Sequence, residues 1–186
     1  MRYLITLLLF LTTAVQADPE RYALDPARSE VGFTYIFSGD PVQGTMPVLE
    51  ATLLIDLERI ERSEVSVTLD PARADGGFAF AGQALRSASV LDVAAHPTIR
   101  FRSTAISGDL NGATLRGLLT VRGVTQEVEL RGQLLRQAGT AATERDRLAI
   151  RLTGAIDRRA FGATGYPGFV GPRIDLRILA QINRVE

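Results

Sequence analysis

The chain has no cysteine, no tryptophan and one histidine among 186 residues. Without thiols there is no disulfide, no thiolate metal ligand and no cysteine nucleophile. An exported protein is free to use disulfides but does not need them, and at this length a hydrophobic core suffices. The single imidazole, His96, is too little for a zinc or iron site, which draws on several such ligands. Acidic calcium loops need a clustered run such as D-x-D-x-D-G, and none occurs. Lysine is absent too: all 21 basic residues are arginine, matched by 21 acidic residues. A GC-rich coding sequence is the simplest reason, ahead of selection for bidentate contacts. Zero net charge leaves no field to steer the chain to nucleic acid or to an anionic membrane surface.

Long apolar runs are also missing after the N-terminus, so no later segment is expected to span a bilayer as a helix. Residues 1–17, MRYLITLLLFLTTAVQA, carry Arg2, then an apolar run from Leu4 to Leu11, then small residues ending in Val15-Gln16-Ala17. This is the layout of a secretory signal peptide. We expect cleavage after Ala17, a single domain over residues 18–186, and a soluble protein exported to the periplasm. With no cysteine at the cut, a lipoprotein anchor is not expected.

What is present is alternation. Val31, Phe33, Tyr35 and Phe37 alternate with Gly32, Thr34 and Ile36. The same period of two recurs at residues 53–57, 65–69, 99–102, 148–152 and 174–182. Turn signals separate the runs: Asp25-Pro26, Gly39-Asp40-Pro41, Asp70-Pro71, Asp75-Gly76-Gly77 and Asn111-Gly112. Residues 117–132, GLLTVRGVTQEVELRG, read as a hairpin, with Leu119 and Val121 on one face and Val128 and Leu130 on the next. Many short strands, each with one apolar face, predict an all-β sandwich or barrel. By parity, Phe33, Tyr35, Ile55, Val67, Phe101, Leu119, Val121, Ile150 and Phe161 point inward, joined by Leu85, Val90 and Leu91. These twelve are the candidate ligand-binding residues, although a dry core would use the same set.

One stretch breaks the pattern. Residues 82–97, GQALRSASVLDVAAHP, lose strict alternation and read as one short helix around 82–94, or two helical turns, stopped by Pro97. There His96 reads as a loop or surface histidine; Ser87 and Ser89 nearby do not make a triad. Residues 161–172, FGATGYPGFVGP, have evenly spaced glycines but no Lys-Ser/Thr after them, so they are not a phosphate loop. They read as a flexible loop, with Tyr166 and Phe169 as a candidate gate at a barrel mouth. Arg158-Arg159 reads as a solvated strand end. Residues 136–146 are polar and rich in Ala and Thr, and read as a mobile surface loop.

Residues 84–104, ALRSASVLDVAAHPTIRFRST, followed by GLLTVRGVTQEVEL, resemble the YceI family of exported bacterial lipid-binding proteins. The first motif falls on Leu85, Arg86, Ser87, Leu91, Asp92, His96, Pro97, Phe101, Ser103 and Thr104. The second falls on Gly117, Leu119, Thr120, Gly123, Val124 and Thr125. Tyr22, Asp25-Pro26, Ser29 and Phe33 fit the family's start; Asp157-Arg158 and Phe161-Gly162 fit its end. Two histidines usual in the family are absent: residues 33–37 read Phe-Thr-Tyr-Ile-Phe, and Ala84 precedes Leu85-Arg86-Ser87. Tyr35 is the nearest polar-tipped replacement.

The resemblance implies a single antiparallel lipocalin-like β-barrel of about eight strands, with the short helical segment over one end. It implies a non-enzymatic carrier that holds a long isoprenoid lipid, a ubiquinone or polyprenyl tail, with no catalytic cofactor and no metal. The alternatives are a quinone-binding accessory module serving a membrane cytochrome, or a stress-related structural barrel without ligand. The partners carried by these readings are the isoprenoid lipid, the cytochrome and a second copy in a homodimer.

Overall fold

A computed structural model of the chain describes residues 18–135, 141 and 144–185. The expected signal peptide and most of the 136–146 stretch lie outside the described residues. The described residues form ten strands, β1 (Glu20–Leu24), β2 (Glu30–Phe37), β3 (Asp40–Thr45), β4 (Val48–Ile55), β5 (Glu64–Leu69), β6 (Ile99–Asp109), β7 (Gly112–Val121), β8 (Val124–Leu135), β9 (Arg147–Asp157) and β10 (Val170–Arg184). Among the described residues one short α-helix, α1 (Ala81–Arg86), lies between β5 and β6. The sheet runs β1-β4-β5-β6-β7-β8-β9-β10, and β10 pairs back onto β1. Eight antiparallel strands therefore close into a barrel, and the remaining two form the hairpin β2–β3 on the same long strand.

That long strand is the hinge of the topology. The first part of β10 pairs with β2, through Ile174↔Tyr35 to Leu179↔Glu30. Its last residues pair with β1, through Ile182↔Leu24 to Arg184↔Tyr22. Pro172 falls in the register irregularity between Val170 and Ile174, where the missing N–H breaks no ladder bond. The sequence reading found eight runs and overlooked β1 and β3. Pro41 and Gly44 disguise β3, which is tolerable because it sits on the open side of its hairpin. β1 is only five residues long, too short to show a period, yet it closes the ring.

Alternation does decide the faces. Leu115, Leu119 and Val121 on β7 are buried, as is Leu130 on β8, while Leu118 and Val124 are exposed. On β6 the register shifts between Ser103 and Ala105. This bulge inverts the parity, so Phe101 and Ile106 both reach the interior. The Ser103 hydroxyl accepts the Val65 N–H at 2.9 Å, which holds the bulge against β5.

Gly117 is a place on β7 where no side chain fits. A Cβ there would run into the Phe101 ring and stand 2.6 Å from the Arg102 carbonyl. The Phe101 ring thus lies over bare backbone. Gly117→Val should lower stability by about 1–3 kcal/mol through overpacking, read as an earlier midpoint in urea with an unchanged slope.

The helical segment is shorter than the sequence predicts. α1 stops at Arg86, because Ser87 turns extended (φ −61°, ψ 157°) and its hydroxyl donates to the Ala84 carbonyl at 2.7 Å. Residues 87–95 continue as turns, with Asp92 in the left-handed region at φ 48°. The stop is local side-chain capping, well before Pro97. His96 follows, half-buried; its ring is what a Cβ on Gly123 would meet, 3.0 Å from the Cε1 atom.

Candidate functional site

The barrel encloses a cavity of about 840 Å³. An apolar cavity of roughly 150 Å³ already stays dry and takes up benzene, so this one has room for a much longer hydrocarbon. All twelve inward positions named from the sequence line it: Phe33 and Tyr35 on β2, Ile55 on β4, Val67 on β5, Leu85 on α1, Val90 and Leu91 in the turns after it, Phe101 on β6, Leu119 and Val121 on β7, Ile150 on β9, and Phe161. Val128 and Leu130 line it as well. Parity alone missed Ile106, hidden by the bulge, and Met46, which sits between two strands. Phe37, which shares the parity of Phe33 and Tyr35 but is not among the twelve, lines one end of the cavity together with Phe78 and Phe80, which lie outside any strand period. A stretch rich in Phe and without charge, residues 76–85, was the available signal for the last two.

Three hydroxyls of the wall already have main-chain partners. The Tyr35 hydroxyl donates to the Gly76 carbonyl at 2.8 Å; burial, then the charge of Asp75, raises its pKa above the ordinary value. The Ser29 hydroxyl is paired with the main chain of Gln181. The Ser63 hydroxyl accepts the Asp56 N–H at 2.9 Å. Tyr35 therefore does not stand in for the missing family histidine as a free ligand group; its polar tip is used by the fold. Buried polar atoms with partners cost little, and each of these hydroxyls is held by the main chain. The middle of the cavity is a hydrocarbon surface.

One end of the cavity is framed by four segments: the tip of the β2–β3 hairpin, residues 76–85, the turns after α1, and the loop 161–169. They are fastened to one another. The Ser38 N–H donates to the Phe169 carbonyl at 2.8 Å, and the Gly165 N–H to the Ser89 carbonyl at 2.7 Å. At the β7–β8 turn, Arg122 and Gly123 both have positive φ, 53° and 74°, the pattern of a two-residue hairpin turn. That turn aims the Arg122 guanidinium at the carbonyls of Ala88 and Val90, at 2.6 and 2.9 Å.

Arg158 corrects the sequence reading. It is not a solvated strand end; it is buried, at 7% exposure. Its guanidinium donates to the carbonyls of Gly171, Ala163, Gly165 and Val170, at 3.0, 2.6, 2.8 and 2.9 Å. Burial opposes the charge and lowers its pKa, and the neighbouring Asp157 carboxylate supports it. One side chain thus clamps both ends of the glycine-rich loop. The loop read as flexible is a pinned structure. Only Arg159 matches the solvated reading: it is exposed and grips Asp157 at 2.6 Å.

Asp157 is the start of this device. Its carboxylate accepts the Arg159 side chain and the Arg159 main-chain N–H, which starts the turn Arg158–Phe161. Those contacts lower its pKa from 3.8 to about 2. A carboxyl whose folded pKa is depressed stabilises the fold above its unfolded value and loses that effect as pH falls. The melting temperature should therefore drop as pH falls from 3.8 towards 2. Asp157→Asn should flatten that part of the profile; an identical slope in both proteins would refute the assignment.

Among the described residues, no group of three or more His, Cys, Asp or Glu side chains is placed to hold a metal ion. No helix among them is long and apolar enough to cross a membrane.

Comparison with known proteins agrees with this barrel. A family model described as a YceI-like domain matches residues 22–182. Protein YceI of Escherichia coli O157:H7 is 27% identical over 151 residues, covering 81% of this chain and 75% of that protein. The crystal structure of Burkholderia cenocepacia BcnA superposes with a TM-score of 0.76 at 18% identity, covering 86% of this chain and 99% of that one. A polyisoprenoid binding domain from Saccharophagus degradans, implicated in plant cell wall breakdown, superposes with a TM-score of 0.64 at 10% identity, covering 89% of this chain and 99% of that one. At such identities the structural likeness is one of fold, whereas the family match starts within β1 and ends within β10. The chain belongs to the YceI-like family.

Proposed function

We propose that the protein is a periplasmic carrier that holds a long isoprenoid lipid, of the ubiquinone or polyprenyl type, inside the barrel. The observation that carries this reading is the cavity wall: about 840 Å³ of space bounded almost wholly by hydrocarbon, with the polar groups of its middle turned into the fold. Such a wall suits a ligand that is itself nearly all hydrocarbon, since each buried CH₂ contributes about 0.8 kcal/mol without needing a hydrogen bond. The similar barrel from Saccharophagus degradans is described as polyisoprenoid binding. Export is supported by the signal-like residues 1–17.

The role is binding rather than catalysis. A headgroup fits the ends of the cavity better than its middle. Gln83 and Tyr166 are exposed at one end, Asp109 and Gln133 at the other. Expression with residues 1–17 in a Gram-negative host, release by osmotic shock, gentle purification and solvent extraction for mass spectrometry test the reading. A stoichiometric isoprenoid in the shock-fluid protein supports it and names the cargo. An empty extract, still empty after incubation with quinones and polyprenols, overturns it.

A further inference from the structure

The end of the cavity framed by the loops is unusual in composition. Residues 76–85 and 160–172 contain no Asp, Glu, Lys, Arg or His, in a chain that is 23% charged. From these two loops rise Phe78, Phe80, Tyr166 and Phe169, which are 44%, 83%, 46% and 60% exposed. Phe37 sits between two of them, 5.2 Å from the Phe78 ring and 6.2 Å from the Phe169 ring. All five also line the cavity. The rim is therefore continuous with the apolar interior, and neither of these two loops adds a charge to its lip.

The backbone holds the two outer aromatics in place. Phe80 and Tyr166 are in the left-handed region, at φ 70° and 56°. That conformation is unfavourable for a residue with a Cβ and persists only where the surrounding structure imposes it. Arg158 and the Ser38–Phe169 bond supply that constraint on the second loop. The protein thus keeps large apolar side chains in water at a fixed place, where a soluble monomer usually avoids a patch of this kind.

We propose that this aromatic rim is a membrane-docking surface, inserting into the headgroup and upper acyl region of a lipid bilayer with the cavity opening directly onto the hydrocarbon. The proposal rests on the lipid-carrier reading for its purpose. A tail moving between bilayer and barrel through this contact never crosses water. A phenolic tip such as that of Tyr166 suits the interface, where one end is wet and the other apolar. The absence of charge from both loops points to partitioning that depends little on anionic lipid or salt. A mouth-to-mouth second copy is the weaker occupant, because it would seal both cavities.

Flotation of the purified chain with vesicles free of isoprenoid tests this. One set is phosphatidylcholine and the other phosphatidylethanolamine with phosphatidylglycerol, each at low and high salt. The chain should float with both sets. Phe80→Ser and Phe169→Ser should each lower the partition coefficient about tenfold. Leu49→Ser, at an exposed apolar position on β4 that does not line the cavity, should leave it unchanged. Because the chain has no tryptophan, Phe169→Trp adds a single reporter, whose emission should shift to the blue on vesicle addition and be quenched by brominated lipid. Thermal melts check that each variant is folded.

No flotation and an unmoved tryptophan spectrum would overturn the proposal. So would a rim-dependent dimer in sedimentation with no vesicle binding. The cargo assay separates the two readings. An isoprenoid-loaded protein that ignores vesicles sinks only the docking surface. A vesicle-binding protein that takes up no isoprenoid sinks only the carrier.

Discussion

Val128→Trp should leave the protein folded and empty of lipid. Val128 lies on β8 opposite Gly117 and lines the cavity while only partly buried. An indole grown from that position enters open space and consumes the volume a tail needs. In a dry, close-packed barrel the same substitution would overpack the core and cost about 1–3 kcal/mol. Val128 already packs beside Phe101 against the core cluster of Leu119, Val121 and Phe161, but around a cavity of about 840 Å³ the melting temperature should stay within a few degrees, because the added ring has lumen to extend into and gains apolar contact there. Extracted isoprenoid should fall at least tenfold. A strongly destabilised variant would mean that this wall is already packed, and a fully loaded one would mean that the tail lies elsewhere. The measurement therefore separates core from cavity at one residue.

Arg158→Ala should be the most damaging single change in the frame of the mouth. Four main-chain carbonyls, those of Ala163, Gly165, Val170 and Gly171, lose a charged donor at once. Hydrogen bonds to a charged group contribute about 1.5–3 kcal/mol each in favourable cases, and the carbonyls are coupled through one side chain. A loss of about 3 kcal/mol or more is expected, together with faster amide exchange in residues 161–170. Arg158→Lys should recover little of it, because an ammonium cannot reproduce the planar fork that reaches all four oxygens. If Arg158→Ala is as stable as the parent, the clamp is incidental. If it is destabilised but exchange rises uniformly, the residue supports the barrel at large rather than this loop.

The two variants act at different depths of the same structure, and they are far enough apart in role to be combined. Val128→Trp changes what the barrel holds and Arg158→Ala changes how its mouth is held. With Asp157 at the base of the clamp, acid should loosen the mouth as that carboxyl is protonated between 3.8 and about 2. The far end of the barrel is secured differently. There Tyr22 is 2% exposed, and its hydroxyl donates to the Arg145 carbonyl at 2.8 Å. Burial and then Glu20 push that phenol up to about 12, so its contribution is lost only as pH rises towards that value.

Periodicity along one strand is a local property, and the sequence by itself determined it. Alternation in residues 31–37, 65–69 and 117–132 set which side chains face inward, because a strand sends successive side chains to opposite faces whatever its neighbours are. The motifs around Leu85–Thr104 and Gly117–Thr125 likewise marked the family before any coordinates. Whether those inward faces meet or stand apart was decided only by the tertiary structure. That depends on the circumference of the ring, hence on how many strands close it and where. The closing strand β1 is too short to carry a period, and the bulge after Ser103 changes parity within a single strand. Arg158 makes the same point for polarity. Taken alone, an arginine beside an arginine at a strand end belongs in water. It is buried here because a loop folds back and presents four carbonyls to it, an arrangement that exists only once the chain has closed around it.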